Sequence, residues 1–204
     1  MSALALVLDA LACPVCAQPF ALPDAVAPAL VCPSRHTFNL ARAGYASLVR
    51  GGAPRHAADS VAMVQARASF LARGHYQPIA APVAEAVAEA IGNAESRPDA
   101  RLAPQRQPAA ECETTRRSAS NPEPGRGSGL RGRIGEGTPA LGFPPLILDL
   151  AGGTGYYLAE VLDAIPAARG LVLDLSPAAA KRAARCHPRA GAATADAWER
   201  LPLR

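Results

Sequence analysis

The amino-terminal part of the chain carries two closely spaced pairs of metal-binding side chains. Cys13 and Cys16 form a Cys-x2-Cys pair, and Cys32 and His36 form a Cys-x3-His pair after a spacer of fifteen residues. Zinc prefers four sulfur or nitrogen ligands in a tetrahedron, and two such pairs supply them from the two arms of a small hairpin. Because the protein fills all four positions, we expect a structural zinc ion with no open site for catalysis.

A disulfide with one spare thiol is the alternative explanation of these cysteines. The amino terminus shows no signal-peptide pattern, and in a cytoplasmic chain this spacing is more typical of a metal site. No apolar run approaches the roughly 20 residues that a membrane-spanning helix needs. We therefore expect a cytoplasmic zinc protein with no membrane partner.

The composition divides the 204 residues into four segments. Residues 1–50 form the predicted zinc-binding module, and residues 51–93 form a helical connection. Residues 94–142 are rich in Pro, Gly, Ser and Arg and are predicted to be a disordered insert or linker. Residues 143–204 are predicted to be folded, because short strand and helix patterns alternate there.

The helical connection contains two helix patterns. The first begins after Ser60, whose side chain can cap it, and continues until Gly74. The second follows Pro78 and ends at Gly92. Its apolar stripe has a spacing of four residues: Ile79, Val83, Val87 and Ile91. We expect both helices to cover a sheet.

Arginine supplies nearly all the positive charge of the chain, which has a net charge of +4 and Lys181 as its only lysine. Charge alone does not decide whether the chain binds nucleic acid, since a GC-rich coding bias gives the same composition. The insert could be an arm that contacts RNA phosphates, but its acidic residues favour a solvated segment. The arginines of that arm are Arg116, Arg117, Arg126, Arg131 and Arg133. Cys112, in the same segment, has no assigned role.

Residues 143–204 predict a βαβαβ unit of a doubly wound α/β fold. A short apolar strand, Leu146–Leu150, runs into a glycine-rich turn. Helix patterns follow at 156–165 and 177–186, and strand patterns at 170–175 and 192–195. The second helix has a strong start signal, because serine caps and proline fits the first helical position.

The glycine-rich turn predicts a nucleoside-type cofactor. Gly152, Gly153 and Gly155 allow a ligand to approach the backbone at a helix start. Asp149, which ends the first strand, can orient the turn or meet a ligand ammonium, and Asp174, which ends the second strand, can accept both hydroxyls of a ribose. A dehydrogenase is less favoured, because the turn lacks the Gly-x-Gly-x-x-Gly fingerprint of dinucleotide sites.

Several motifs resemble a known family. The turn after Asp149 is similar to the first motif of Rossmann-like S-adenosylmethionine-dependent methyltransferases, with Ala151 where that class commonly has glycine. The two zinc-ligand pairs, residues 38–48 and residues 66–78 resemble the 23S ribosomal RNA guanine-N1-methyltransferases. The ending at 196–204 is similar to the actinobacterial branch associated with resistance to tylosin and other macrolides.

The resemblance covers residues 10–92 and 146–204. It implies S-adenosylmethionine as cofactor, zinc at the four ligands named above, and a hairpin in domain II of 23S ribosomal RNA as partner. It also implies methyl transfer to N1 of one guanine. Together with Asp149, Gly153 and Gly155, the positions that it places at the cofactor are Tyr76, Tyr157, Leu158, Asp174 and Asp196.

Some roles stay open at this point. His75 is a weaker cofactor candidate, and Ala197 is the alternative to Asp196 beside the adenine. Tyr76 has the alternative of a core aromatic, and Asp196 that of a helix cap. No residue is assigned as the acceptor of the guanine N1 proton, so the catalytic residues are unknown. The candidate phosphate contacts, which have the alternative of being solvated surface, are Arg35, Arg42, Arg50 and Arg55.

Methyltransferases of this class continue through further strands beyond the third, where this sequence stops. We therefore expect an α/β chain with a zinc-ribbon-like module and an incomplete Rossmann-like (class I) methyltransferase domain. Its third strand should have an exposed edge. The functional alternative is an inactive remnant that acts as a zinc-dependent RNA- or protein-binding module. The sequence does not decide whether the chain forms a homodimer.

Overall fold

The computed structural model describes residues 3–21, 29–50, 57–95 and 144–204. Of the predicted insert, only residues 94 and 95 lie within these ranges, and they end a helix. Cys112, Arg55 and the five arginines of the predicted RNA-binding arm lie outside the described residues. No helix in the described ranges is long and apolar enough to cross a membrane.

The ligand-bearing region contains short elements. Residues Ala3–Ala10 form a 3-10 helix that the sequence analysis did not predict. Strand β1 (Ala29–Val31) pairs antiparallel with strand β2 (Thr37–Asn39), with Leu30 opposite Phe38. These two strands lie on either side of the second ligand pair, Cys32 and His36.

Two helices follow. Helix α1 (Val61–Leu71) begins as predicted, because the Ser60 hydroxyl accepts a hydrogen bond from the backbone N–H of Met63. Helix α2 (Gln77–Glu95) passes through Gly92 instead of ending there. A single glycine inside a helix costs only about 1 kcal/mol relative to alanine, so it does not force an end.

The predicted apolar stripe of α2 is not its buried face. Ala80 and Ala84 are buried, whereas Ile79 and Val83 are 51% and 39% exposed. Helix α2 packs mainly against the first helix of the βαβαβ unit, and α1 packs against the second. The expectation that both helices cover the sheet is therefore wrong: they cover other helices, and alanine allows the close approach of α2.

The βαβαβ unit is present as predicted. Its strands are parallel and each predicted element is found, with ends that agree or differ by at most three residues. The elements in chain order are β4 (Leu146–Leu150), α3 (Tyr156–Ala164), β5 (Arg169–Asp174), α4 (Pro177–Ala183) and β6 (Ala190–Thr194). The Ser176 hydroxyl caps α4 by accepting from the Ala179 N–H, with Pro177 in the first turn.

The expected exposed edge of the third strand, β6, is instead paired. Strand β3 (Ala46–Ser47), from the ligand-bearing region, lies parallel to β6, so the sheet order is β3-β6-β5-β4. The Leu48 N–H extends this pairing by donating to the Thr194 carbonyl. A two-residue strand has no readable alternation, which explains why sequence patterns missed it. At the opposite edge of the sheet, β4 pairs only with β5 among the described strands. Leu148 and Leu150 of β4 are 38% and 42% exposed.

One apolar core spans the ligand-bearing region and the sheet. The 3-10 helix packs on β5 and β6, where Gly191 makes room for Val7: a Cβ at Gly191 would lie 2.4 Å from a Val7 methyl carbon. Arg169 on β5 forms a two-pronged ion pair with Asp9. The buried cluster includes Leu4, Val7, Leu11, Leu30, Leu48, Leu171 and Leu173. Disturbing the ligand region should therefore disturb the sheet.

Candidate metal centre and cofactor site

The four predicted zinc ligands lie together. The ligand atoms of Cys13, Cys16, Cys32 and His36 are all within 4.8 Å of one another. The sulfur of Cys16 is 3.6 Å from that of Cys32, and Nδ1 of His36 is 3.6 and 3.3 Å from the sulfurs of Cys13 and Cys32. Zinc–sulfur bonds of about 2.3 Å in a tetrahedron place sulfurs about 3.8 Å apart, so the cluster fits one zinc ion.

A hydrogen-bonded turn begins at the first cysteine of each ligand pair. The Ala17 N–H donates to the Cys13 carbonyl and the Arg35 N–H donates to the Cys32 carbonyl, both at 2.8 Å. Ala17 and Arg35 adopt φ values of 59° and 62°, in the left-handed region that side chains disfavour. Both turns therefore contain a strained residue, and each turn places its two ligands at the common metal site.

The backbone also prepares the sulfur of Cys16 for metal. A hydrogen bond from the Gln18 backbone, with smaller contributions from His36 and the other cysteines, lowers the pKa of Cys16 to about 6. Burial raises the pKa of Cys13. Zinc binds thiolate and releases the proton, so Cys16 is ready to bind near neutral pH.

The glycine-rich turn lies between β4 and α3. The Ala151 N–H donates to the Leu173 carbonyl at 2.7 Å, which ties the turn to β5. Gly153 and Gly155 have φ values of 57° and 74°, and Ala151 has a φ of 56°. Ala151 thus adopts the conformation that glycine adopts at no steric cost, although it carries a Cβ.

This strain predicts that Ala151→Gly stabilises the protein. Relief of left-handed strain, about 1–2 kcal/mol, should exceed the entropic cost of a new glycine, about 0.5–1 kcal/mol. We expect a gain of roughly 0.5–1 kcal/mol in the free energy of unfolding, measured by urea titration of the zinc-loaded chain. The control is Ala159→Gly in helix α3, which should lose about 1 kcal/mol. Equal losses at both positions would contradict the strain at Ala151.

Asp149 has a carboxylate oxygen with no partner. Its Oδ2 atom is buried and receives no hydrogen bond within the described residues. The carboxylate lies beside the backbone of Gly152, where an added Cβ would be 2.5 Å from it. Burial, and then the charge of Asp174, raises the pKa of Asp149. Because a buried acceptor without a partner is costly, the carboxylate is suited to a cationic ligand group.

Asp174 braces the same turn from the end of β5. Its Oδ2 accepts from the Gly153 N–H and its Oδ1 accepts from the Ser176 N–H, both at 2.8 Å. A carboxylate has about four acceptor positions, so both oxygens keep capacity for ligand hydroxyls. Asp174 therefore both shapes the turn and remains available to a ribose.

Two cavities flank the turn and share Ala151 and Arg67 in their walls. The first, of about 400 Å³, is lined by the predicted residues Tyr76, Asp149, Gly153 and Tyr157. The second, of about 300 Å³, is lined by the predicted residues Asp174 and Asp196, and by Ala197. Most of the predicted cofactor positions thus surround one continuous turn.

Two predicted positions lie outside both cavities. A Cβ at Gly155 would be 2.7 Å from the sulfur of Cys186, so this glycine allows α3 and α4 to approach each other. Leu158 is buried and packs over Gly170. Both residues therefore contribute to packing between elements. They lie at the start of α3, whose first backbone N–H groups lie next to the turn.

The outer candidates lie at the cavity rims. Tyr76 is 36% exposed, and its ring meets that of Phe70 edge to face at 5.6 Å. His75 also packs near Phe70, at 5.7 Å, but lines neither cavity. The Asp196 carboxylate accepts from the Trp198 N–H at 3.0 Å, within a turn; no helix follows it in the described residues, so the helix-cap alternative is not found.

Arg67 is the main residue that sequence reasoning missed. Its guanidinium lies 3.0 Å from the Asp59 carboxylate and 3.2 Å from where a Cβ of Gly153 would be. An arginine on the exposed face of a helix gives no sequence signal that distinguishes it from solvated surface. Only the packing of α1 over the turn brings its charge to the cavities.

The predicted phosphate-binding arginines differ in their surroundings. Arg50 forms an ion pair with Glu199 at 2.5 Å. Arg35 and Arg42 are exposed, and neither has an ion-pair partner among the residues that the structure describes. Arg50 is thus the least available of the described candidates.

Comparisons with known proteins give a family model for the ligand-bearing region and relatives along most of the chain. Residues 11–50 match the family model of the RlmA amino-terminal zinc ribbon. The chain is 43% identical over 197 residues to a protein of Micromonospora griseorubida assigned as a 23S rRNA (guanine-N(1)-)-methyltransferase. It is 37% identical over 194 residues to the 23S rRNA (guanine(748)-N(1))-methyltransferase of Streptomyces fradiae.

The coverage of these alignments is unequal. They include 96% and 95% of this chain but 54% and 51% of the two relatives, so the chain spans about half their length. A solved O-methyltransferase family 2 protein of Planctomyces limnophilus DSM 3776, in complex with apigenin, is 31% identical. The alignment covers 30% of this chain and 20% of the solved chain. Its TM-score of 0.26 is below the level that indicates a shared fold. The chain is therefore similar in sequence to 23S rRNA guanine-N1-methyltransferases over about half of their length, and its residues 11–50 match a zinc-ribbon family model.

Proposed function

We propose that this chain binds S-adenosylmethionine at the glycine-rich turn and takes part in methylation of guanine N1 in 23S ribosomal RNA. The substrate would be a hairpin of domain II, and the reaction would take place in the cytoplasm. The similarity to the tylosin-resistance branch extends the proposal to protection against macrolides. The observation that carries it is the unpartnered, buried carboxylate oxygen of Asp149 beside the turn. The two homologous methyltransferases support the choice of substrate.

The charges around the turn suit the methionine end of this cofactor. Its α-ammonium would meet Asp149 and its α-carboxylate would meet Arg67, both of which line the larger cavity. The ribose hydroxyls would meet Asp174, and the adenine would lie in the smaller cavity near Asp196 and Trp198. When bound, S-adenosylmethionine supplies a methyl group activated by the sulfonium.

The protein's part in the reaction would be positioning. A nucleophile that is held in line with the breaking bond gains several kcal/mol over free encounter. Phe70 and Tyr76 expose 45% and 36% of their surfaces at the rim of the larger cavity and could stack against an unpaired base. The N1 proton must leave, and no described side chain is assigned as its acceptor.

Arg67→Ala is expected to weaken S-adenosylmethionine binding by about 10- to 100-fold, the value of one charge-assisted hydrogen bond of 1.5–3 kcal/mol. Adenosine lacks the amino-acid part, so its affinity should stay unchanged. Arg67→Lys keeps the charge and should recover part of the loss. Calorimetric titration with both ligands measures this. If both affinities fell equally, Arg67 would act through its ion pair with Asp59 instead.

The test of the reaction uses a transcript of the 23S hairpin and radiolabelled S-adenosylmethionine. We expect label in the RNA, and a stop of reverse transcription at the modified guanine, since a methyl group on N1 blocks the Watson–Crick edge. Binding of the hairpin and the cofactor without methyl transfer would contradict the enzyme proposal. It would favour the alternative, a zinc-dependent RNA-binding module.

A further inference from the structure

A third cavity lies outside the cofactor site, between α1 and α4. Its volume is about 630 Å³. We call it the basic groove and define it by Val61, Val64 and Ala68 on one wall and by Lys181, Arg182 and Arg185 on the other. Its lining includes no aspartate or glutamate. The groove therefore has one sign of charge.

The three cations of the groove are unpaired. Lys181, Arg182 and Arg185 are exposed, and no ion pair or side-chain hydrogen bond joins any of them to the described residues. The end of a helix favours cations, which accounts for Lys181 and Arg182 in the last turn of α4. Arg185 lies beyond the helix, so the helix dipole does not explain the whole cluster.

The neighbouring arginines behave differently. Arg189 donates to the carbonyls of Ile165 and Pro166, at the carboxyl end of α3. Arg67 and Arg169 form ion pairs with aspartates. The protein thus uses these arginines internally, whereas Lys181, Arg182 and Arg185 have no ion-pair partner among the described residues, which suits a polyanion.

The position of the groove connects it to the cofactor site. Leu71, Thr154 and Tyr156 line both the basic groove and the larger cofactor cavity. The opposite wall is apolar, and Val61 is 71% exposed there. A nucleic-acid strand presents phosphates on one side and sugar and base surfaces on the other, which matches these two walls.

We propose that the basic groove binds the sugar–phosphate backbone of the RNA substrate and leads it towards the cofactor cavity. This proposal rests on the RNA substrate proposed above. It assigns phosphate contacts to α4, in addition to the zinc-ribbon arginines suggested by the sequence. Phosphate contacts of this kind position RNA without reading its sequence.

The test compares two double variants with equal changes in charge. Arg182→Ala/Arg185→Ala removes two cations of the groove, and Arg73→Ala/Arg200→Ala removes two exposed arginines that line none of the three cavities. Binding of the 23S hairpin transcript is measured over a range of salt concentrations. Each phosphate contact contributes about 0.7 to the slope of log affinity against log salt for single strands.

For the groove variant we expect a slope smaller by about 1.4, and affinity about tenfold weaker at low salt. The control variant should bind like the original chain, and Arg182→Lys/Arg185→Lys should keep the slope. Unchanged S-adenosylmethionine affinity in all variants shows that they are folded.

Equal slopes for the groove and control variants would overturn the proposal and leave the proposed function intact. A groove variant that loses self-association but still binds RNA normally would show that a second copy occupies the groove, which also overturns it. Failure of the original chain to bind the hairpin would overturn the proposed function, and with it the proposal that the basic groove binds RNA.

Discussion

Substitution of one zinc ligand is expected to unfold more than the zinc ribbon. In Cys32→Ser the zinc content should fall to zero, and the cooperative unfolding transition should be lost or shifted far down in temperature. Zinc contributes an apparent 10–16 kcal/mol in small zinc modules, about as much as the whole stability of a typical domain. Because Leu30 beside the site packs in one core with Leu171 and Leu173 of the sheet, the damage should reach the cofactor half.

The control for this prediction is Cys186→Ala. Burial, and then the charge of Asp149, raises the pKa of Cys186 to about 11, and this cysteine is not among the clustered ligands. The control chain should keep one zinc ion and its circular dichroism spectrum. If Cys32→Ser kept the original melting temperature and cofactor affinity, the shared core would not couple the two sites.

The second large effect is expected for Asp174→Ala. This change removes the proposed acceptor for the ribose hydroxyls and leaves the Gly153 and Ser176 N–H groups without their carboxylate partner. With hydrogen bonds to a charged group worth about 1.5–3 kcal/mol each, we expect S-adenosylmethionine affinity to fall at least 100-fold. Asp174→Asn keeps the shape and one oxygen, so its loss should be smaller. Calorimetry measures both.

Asp163→Ala serves as the matched control for loss of an acidic side chain. Asp163 is exposed on α3 and lies 3.4 Å from His187, away from both cofactor cavities. Its substitution should leave cofactor affinity unchanged. Similar weakening in the Asp163 and Asp174 variants would mean that net charge, and not contact with the ribose, controls binding.

Local signals predicted much of this molecule correctly. The Cys-x2-Cys and Cys-x3-His spacings indicated four ligands that the fold does bring together. Ser60 and Ser176 marked two helix starts because a capping oxygen needs only residues three positions ahead. The strand, turn and helix around Asp149 followed from a short apolar run and glycines. Each of these patterns is contained within a few residues.

Several of the misses depend on contacts between distant segments. Pairing of Ala46 with Ala193 joins parts of the chain far apart in sequence, and no local pattern encodes it. The buried face of α2 uses Ala80 and Ala84, because the neighbouring helix leaves space only for small side chains. Arg67 acquires its place beside Gly153 only when α1 lies over the turn. Such features depend on tertiary packing, which overrides periodicity.

The central claim is that the glycine-rich turn, which Asp174 braces and which the Asp149 carboxylate adjoins, binds S-adenosylmethionine. The most direct test is calorimetric titration of the purified, zinc-loaded chain with S-adenosylmethionine, with NADH as the comparison ligand. We predict saturable binding of S-adenosylmethionine with a dissociation constant of the order of micromolar, about −8 kcal/mol, and no binding of NADH. Absence of S-adenosylmethionine binding by a chain that holds its zinc would contradict the claim.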